Sequence, residues 1–178
     1  MHTLILGGVR SGKSRLAERL ARESGLAVTY IATARPSDDE MVARIAAHRE
    51  RRPADWRLVE EPLALVDTLR REVADGRCIL VECLTLWLSN LLWGEDEERL
   101  QRELAALPEL LPALPGQIIF VGNETNLGVI PMNALARRYC DLAGVLHQRL
   151  AAVCDAVYFT AAGLPLALKG PPPRGAST

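Results

Sequence analysis

Eight residues near the start of the chain, Gly7-Gly8-Val9-Arg10-Ser11-Gly12-Lys13-Ser14, have the types and spacing of a phosphate cradle. They fit the pattern G-x-x-x-x-G-K-[ST]. Glycines let the backbone turn tightly enough for successive N–H groups to face phosphate oxygens. Lys13 supplies positive charge to β- and γ-phosphates, and the Ser14 hydroxyl can ligate Mg²⁺. A helix beginning here adds the positive end of its dipole. The segment therefore predicts nucleoside triphosphate binding and chemistry on that nucleotide. Glu82 is a second candidate, because an acidic residue ending a buried strand can position Mg²⁺ directly or through water. Ser14 and Glu82 are the predicted metal-binding pair.

His48 stands among Arg44, Arg49, Arg51 and Arg52, with Glu50 between them. Guanidinium groups are planar forks that suit phosphate oxygens. A neutral imidazole can attack phosphorus and carry a phosphoryl or nucleotidyl group covalently, and an ordinary histidine, with a pKa of about 6.5, is largely neutral near pH 7. The same spacing also fits a plainer role. Met41, Ile45 and His48 share one helical face, so the histidine could border the core and the arginines could form a solvated face.

These groups need elements to hold them. Thr3–Leu6 is a short apolar run that stops at Gly7, as a buried parallel strand would. Leu16, Ala17, Leu20 and Ala21 then recur at helical spacing. Ala27–Ala32 predicts a second strand, and Ser37-Asp38-Asp39-Glu40 has the form of a capping box opening a helix to about Arg52. A short strand at Arg57–Val59, a helix at Leu63–Val73 and a strand at Cys78–Glu82 follow. Leu84–Trp93 and Glu95–Leu111 read as helices broken at Gly94, with Pro108, Pro112 and Pro115 closing the second. Gln117–Val121 predicts a strand leading into the polar loop Gly122–Gly128. Asn133–Val153 predicts a long helix and Ala156–Thr160 a last strand. Such alternation argues an α/β fold with a mainly parallel central sheet flanked by helices. Ligands of such sheets sit beyond the carboxyl ends of the strands, which makes Ala32-Thr33-Ala34, Glu82 and Gly122–Gly128 candidate site segments. Residues 1–170 are expected to form one nucleotide-binding catalytic domain, and 171–178, starting with three prolines, a frayed tail.

Composition narrows the class. A chain of 178 residues, 49% hydrophobic and 24% charged with net charge −1, has ample material for a core and no basic excess suggesting nucleic acid or an anionic membrane. The four cysteines form no C-x-x-C pair, which predicts free thiols in a reducing compartment. Met1–Leu6 is too short for a signal-peptide core, and the longest apolar stretch, Leu84–Trp93, is too short to span a membrane. A cytoplasmic protein is expected.

Over Leu4–Gly170 the sequence resembles the bifunctional adenosylcobinamide kinase / adenosylcobinamide-phosphate guanylyltransferase family of cobalamin biosynthesis. The resemblance rests on the phosphate loop, Tyr30–Ala34, Glu40–Pro53 with Trp56, Glu82–Leu91, Gly122–Pro131 and Gly163–Gly170, in that order. The histidine–arginine segment and Gly-Asn-Glu-x-Asn-Leu-Gly are its most specific parts. It implies a P-loop fold and two reactions: phosphorylation of the aminopropanol hydroxyl of adenosylcobinamide by ATP or GTP, then GMP transfer from GTP, through a guanylylated histidine, to the phosphate just made. His48 matches that histidine, Gly7–Ser14 the GTP phosphate site, and Ala32, Thr33, Ala34, Arg49, Glu50, Arg51, Arg52, Glu60 and Glu82 further nucleotide contacts. The resemblance also implies Mg²⁺, a corrinoid substrate and a homo-oligomer, a trimer. Two departures stand out. Glu82 occupies a position where Asp is expected, and Cys140 and His147 replace an arginine and an asparagine expected there. A generic P-loop small-molecule kinase, needing no covalent nucleotide, and a non-catalytic GTP-binding module are the rival readings.

Overall fold

A computed structural model describes residues 1–35, 46 and 52–173. The helix expected from Ser37, and with it His48, Arg49, Glu50 and Arg51, lies outside the described residues. In chain order the elements are β1 (His2–Gly7), α1 (Lys13–Glu23), β2 (Ala27–Ala32), β3 (Arg57–Glu60), α2 (Leu65–Glu72), β4 (Arg77–Glu82), α3 (Leu84–Trp93) and α4 (Glu97–Leu110). A turn of 3₁₀ helix at Leu111–Ala113 leads to β5 (Gln117–Asn123), α5 (Ala134–Val153), β6 (Ala156–Ala161) and β7 (Leu164–Lys169). The strands form one seven-stranded sheet in the order β3-β2-β4-β5-β1-β6-β7, parallel except for β7.

The central strands are apolar without interruption because both faces are covered. Leu4 and Leu6, Ile79 and Val81, and Ile118 and Phe120 face one layer, built with α2, α3, α4 and α5. Ile5, Cys78, Leu80, Ile119 and Val121 face the other, where α1 contributes Leu16, Ala17 and Ala21. The α/β architecture and its parallel sheet are as expected from the alternation of strands and helices.

Pro108 does not close α4; the helix runs through it to Leu110. A proline lacks the N–H that would bond the carbonyl four residues back. Arg149 of α5 supplies the substitute: its guanidinium donates to the Leu104 carbonyl at 3.2 Å and the Ala105 carbonyl at 3.3 Å. Strand β7 was not legible as an apolar run, since Pro165 interrupts it. It is an edge strand, where a missing donor is tolerated. Beyond β7, the Tyr158 hydroxyl donates to the Pro171 carbonyl at 2.9 Å and Pro173 is buried, so the first residues of the expected tail pack against β6. All four cysteines are free thiols. No helix among the described residues is long and apolar enough to cross a membrane.

Candidate functional site

The phosphate loop connects the end of β1 to the start of α1 and is fixed from below. Gly7 pairs with Asn123 on one side and Thr160 on the other. The Gly7 carbonyl accepts from Glu124 N–H at 3.0 Å, and the Ser11 carbonyl accepts from Gly163 N–H at 2.8 Å. The β6–β7 turn is therefore a support for the loop, a role that no motif in the sequence assigned to it. Gly12 caps α1 at φ 99°, in the left-handed region that favours glycine. Gly8, Val9 and Arg10 form the exposed rim, while Ser11 and Lys13 are buried beneath it.

The fit below the loop is tight at Gly7. A β-carbon there would collide with the Thr160 carbonyl and stand 2.6 Å from Ser11 Oγ, whereas one on Gly8 meets nothing within 4 Å. Gly7→Ala is therefore expected to destabilise the protein by about 1–3 kcal/mol, as other forced overpacking does. Gly8→Ala should leave the melting temperature unchanged. Thermal unfolding of the two variants side by side checks this, and equal melting temperatures would refute it.

Lys13 is 8% exposed, and its Nζ donates to the Gly8 carbonyl at 3.0 Å, on the inside of the loop. Burial lowers its pKa and the neighbouring Glu82 carboxylate opposes that shift. Ser14 Oγ donates to Glu82 Oε1 at 2.8 Å. Strand β5 lies between β1 and β4, yet the two side chains meet because α1 packs over both β4 and β5. A hydroxyl and a carboxylate oxygen thus converge beside a buried ammonium group. Hard oxygen donors of this kind suit Mg²⁺, which typically takes only one or two protein ligands and completes its shell with phosphates and water. Among the described residues no group of three or more His, Cys, Asp or Glu could hold a metal by itself.

The β2 end is locked to the β4 end. Thr33 N–H donates to the Glu82 carbonyl at 3.0 Å, and Thr33 Oγ1 donates to the Cys83 carbonyl at 2.8 Å while accepting from Cys83 N–H at 2.9 Å. Asn90 of α3 donates to the Thr33 carbonyl at 2.8 Å and to the Pro62 carbonyl at 3.1 Å. Thr33 is fully buried and its hydroxyl is engaged inside the protein. It holds the end of β2 against the end of β4, where Ala32 is in register with Glu82. Glu60 ends β3 in register with Ala32, one strand further out. Arg52 lies over the Tyr30 ring, 5.4 Å from its centroid, so this arginine is held against β2 by a cation–π contact.

On the other side of β4, Asn123 N–H donates to Thr85 Oγ1 at 2.7 Å, and Glu124 follows at the start of the polar loop. His147 of α5 is buried behind it, Nδ1 3.9 Å from Glu124 Oε2. Burial lowers the histidine's pKa, with Glu124 opposing.

A glycine-rich turn, a buried lysine and a serine–carboxylate pair, all at the carboxyl ends of parallel strands, make this the candidate nucleotide phosphate site. The profile of the family described as cobinamide kinase / cobinamide phosphate guanyltransferase matches residues 3–168. The chain belongs to this family. It is 64% identical over 172 residues to the bifunctional adenosylcobalamin biosynthesis protein CobP of Pseudomonas aeruginosa, covering 97% of this chain and 99% of that one. It is 36% identical to the protein CobU of Escherichia coli K12, covering 95% of this chain and all of the other. Among solved structures, the RadB recombinase superposes with a TM-score of 0.52 at 18% identity, over 89% of this chain and 73% of that one; this likeness concerns the fold. The family is one of kinases and guanylyltransferases.

Proposed function

We propose that the chain catalyses two successive transfers on one corrinoid. In the first, the aminopropanol hydroxyl of adenosylcobinamide attacks the γ-phosphorus of ATP or GTP; the P–O bond to the nucleoside diphosphate breaks and the hydroxyl proton is lost. In the second, a ring nitrogen of His48 attacks the α-phosphorus of GTP and pyrophosphate leaves. An oxygen of the new substrate phosphate then displaces the imidazole, giving adenosyl-GDP-cobinamide and restoring the histidine.

Both transfers build negative charge around phosphorus, so one cradle can serve both. Gly7–Ser14 hold the phosphates, with Lys13 as the fixed positive charge. Ala32–Ala34, Glu60 and Arg49, Glu50, Arg51 and Arg52 contribute further nucleotide contacts. Ser14 and Glu82 would hold Mg²⁺, which neutralises phosphate charge when bound. Residues 1–170 act as one catalytic domain, working in a homo-oligomer, a trimer.

The observation that carries this reading is the convergence of Lys13, Ser14 and Glu82 in a chain matched to the family from residue 3 to 168. The test is product analysis by chromatography and mass spectrometry. Adenosylcobinamide with ATP should yield its phosphate, and later addition of GTP should yield the GDP-linked corrinoid. Nucleotide hydrolysis with no corrinoid product would overturn the reading.

A further inference from the structure

A cavity of about 350 Å³ lies between α3 and the first turns of α5. Its walls are the apolar side chains of Leu92, Trp93, Leu135 and Tyr139, with the hydroxyls of Thr85 and Ser89 on the α3 side. No charged side chain among the described residues lines it. Volumes of a few hundred Å³ and mostly apolar walls with a few polar groups are the marks of a small-molecule site. None of the nucleotide contacts assigned above belongs to it.

Its position relates it to the phosphate loop. Thr85 stands three residues beyond Glu82 and accepts from Asn123 N–H at 2.7 Å. Asn123 pairs with Gly7, and Glu124 N–H donates to the Gly7 carbonyl at 3.0 Å. One wall residue of the cavity is thus linked through two hydrogen bonds to the first residue of the phosphate loop.

Its rim is unusual. The segment leading into α5 carries Leu127, Val129, Ile130 and Met132, exposed to 79%, 96%, 77% and 97%. Trp93, a wall residue, is 65% exposed. A run of large apolar side chains turned to water, in the segment that joins the cavity wall at Asn133, marks a binding surface rather than a scatter of surface residues. A nucleotide needs neither feature, because its charged phosphates are provided for at the loop.

We propose that this cavity and its apolar rim form the corrinoid site: an edge of the corrin ring enters between α3 and α5, and the Leu127–Met132 segment lies against the ring face. The inference rests on the corrinoid reading above and adds where that substrate sits. A corrin ring is broad, with an apolar methyl-studded rim and uncharged carboxamide arms. Apolar walls with the Thr85 and Ser89 hydroxyls suit such a rim, and uncharged walls suit amides better than phosphates. A ring held there places its hydroxyl-bearing arm on the phosphate-loop side, as both transfers require.

The test uses the full chain with adenosylcobinamide as the probe. Ala136→Trp narrows the cavity, and Met132→Glu puts a charge on the fully exposed rim, where folding should not suffer. Equilibrium dialysis read by corrinoid absorbance should show at least a tenfold loss of corrinoid affinity in both variants. GTP binding, and protein labelling by GTP without corrinoid, should match wild type. Unchanged corrinoid affinity in either variant would overturn the proposal. So would a loss that appears only together with altered sedimentation, which would assign the face to a second copy of the chain. Failure of wild type itself to bind or modify the corrinoid would instead bring down the functional reading on which this site depends.

Discussion

Incubated with Mg²⁺ and GTP radiolabelled at the α-phosphorus, the chain is expected to become covalently labelled, and His48→Ala is expected to stay unlabelled. The bond should survive alkali and break in acid, since protonation of the imidazole makes it a good leaving group from phosphorus. No corrinoid should be needed, because in the proposed sequence the attack on GTP comes before the second substrate. The variant should lose GMP transfer by at least ~10³-fold, the scale on which enzymes lose rate when a covalent nucleophile is removed. Phosphorylation of adenosylcobinamide by ATP should persist in the same variant, because that step needs the cradle and no covalent carrier. This split is the informative result. A plain kinase would show no label in wild type, and a histidine that merely borders the core would lower both activities together through stability. Full GMP transfer by His48→Ala would remove His48 from the chemistry.

The parts of the site differ in how openly the sequence carries them. The phosphate loop is legible because its eight residues are contiguous and each type answers one physical demand. The Ser14–Glu82 pair spans 68 positions, yet it follows from a rule: functional groups of a parallel sheet gather where strands end. Thr33 was expected among the nucleotide contacts, and its bonds to the β4 end were not readable. Only the register of β2 against β4 shows that its hydroxyl bonds both backbone groups of Cys83. Pro108 misled because a local helix-breaking rule was applied without knowledge of Arg149, which lies on another helix and supplies the missing donor. Strand β7 was hidden by Pro165 for the same reason: its tolerance depends on lying at a sheet edge. The cavity was illegible in principle. Its walls come from two segments far apart in sequence, around Thr85–Trp93 and Asn133–Cys140, and no wall residue taken alone has a type or spacing that marks a site.

Lys13→Ala should instead impair both transfers alike. Lys13 lies under the loop with its Nζ on the Gly8 carbonyl, 3.0 Å away, beside a carboxylate that favours its charged form. A nucleotide's phosphates can take over from that carbonyl and accept from the same ammonium group. Removing a preorganised charge of this kind costs about 10²–10³-fold in rate, and with one cradle proposed for both transfers, phosphorylation and GMP transfer should each fall by that order. Lys13→Arg should not restore them, because a planar guanidinium fork does not occupy the space of a compact ammonium. The folded state should not suffer correspondingly. Burying an ammonium group has a desolvation penalty, and its partner carbonyl lies in an exposed glycine that water can reach. The expected signature is therefore catalytic loss with an unchanged or raised melting temperature, and label from GTP reduced in step with kinase turnover. Parallel assays of the two steps on Lys13→Ala and His48→Ala resolve the shared cradle from the single nucleophile. If Lys13→Ala retained either transfer within about threefold of wild type, that transfer would not run through the cradle, since loss of a transition-state contact must appear in the rate of the step that uses it.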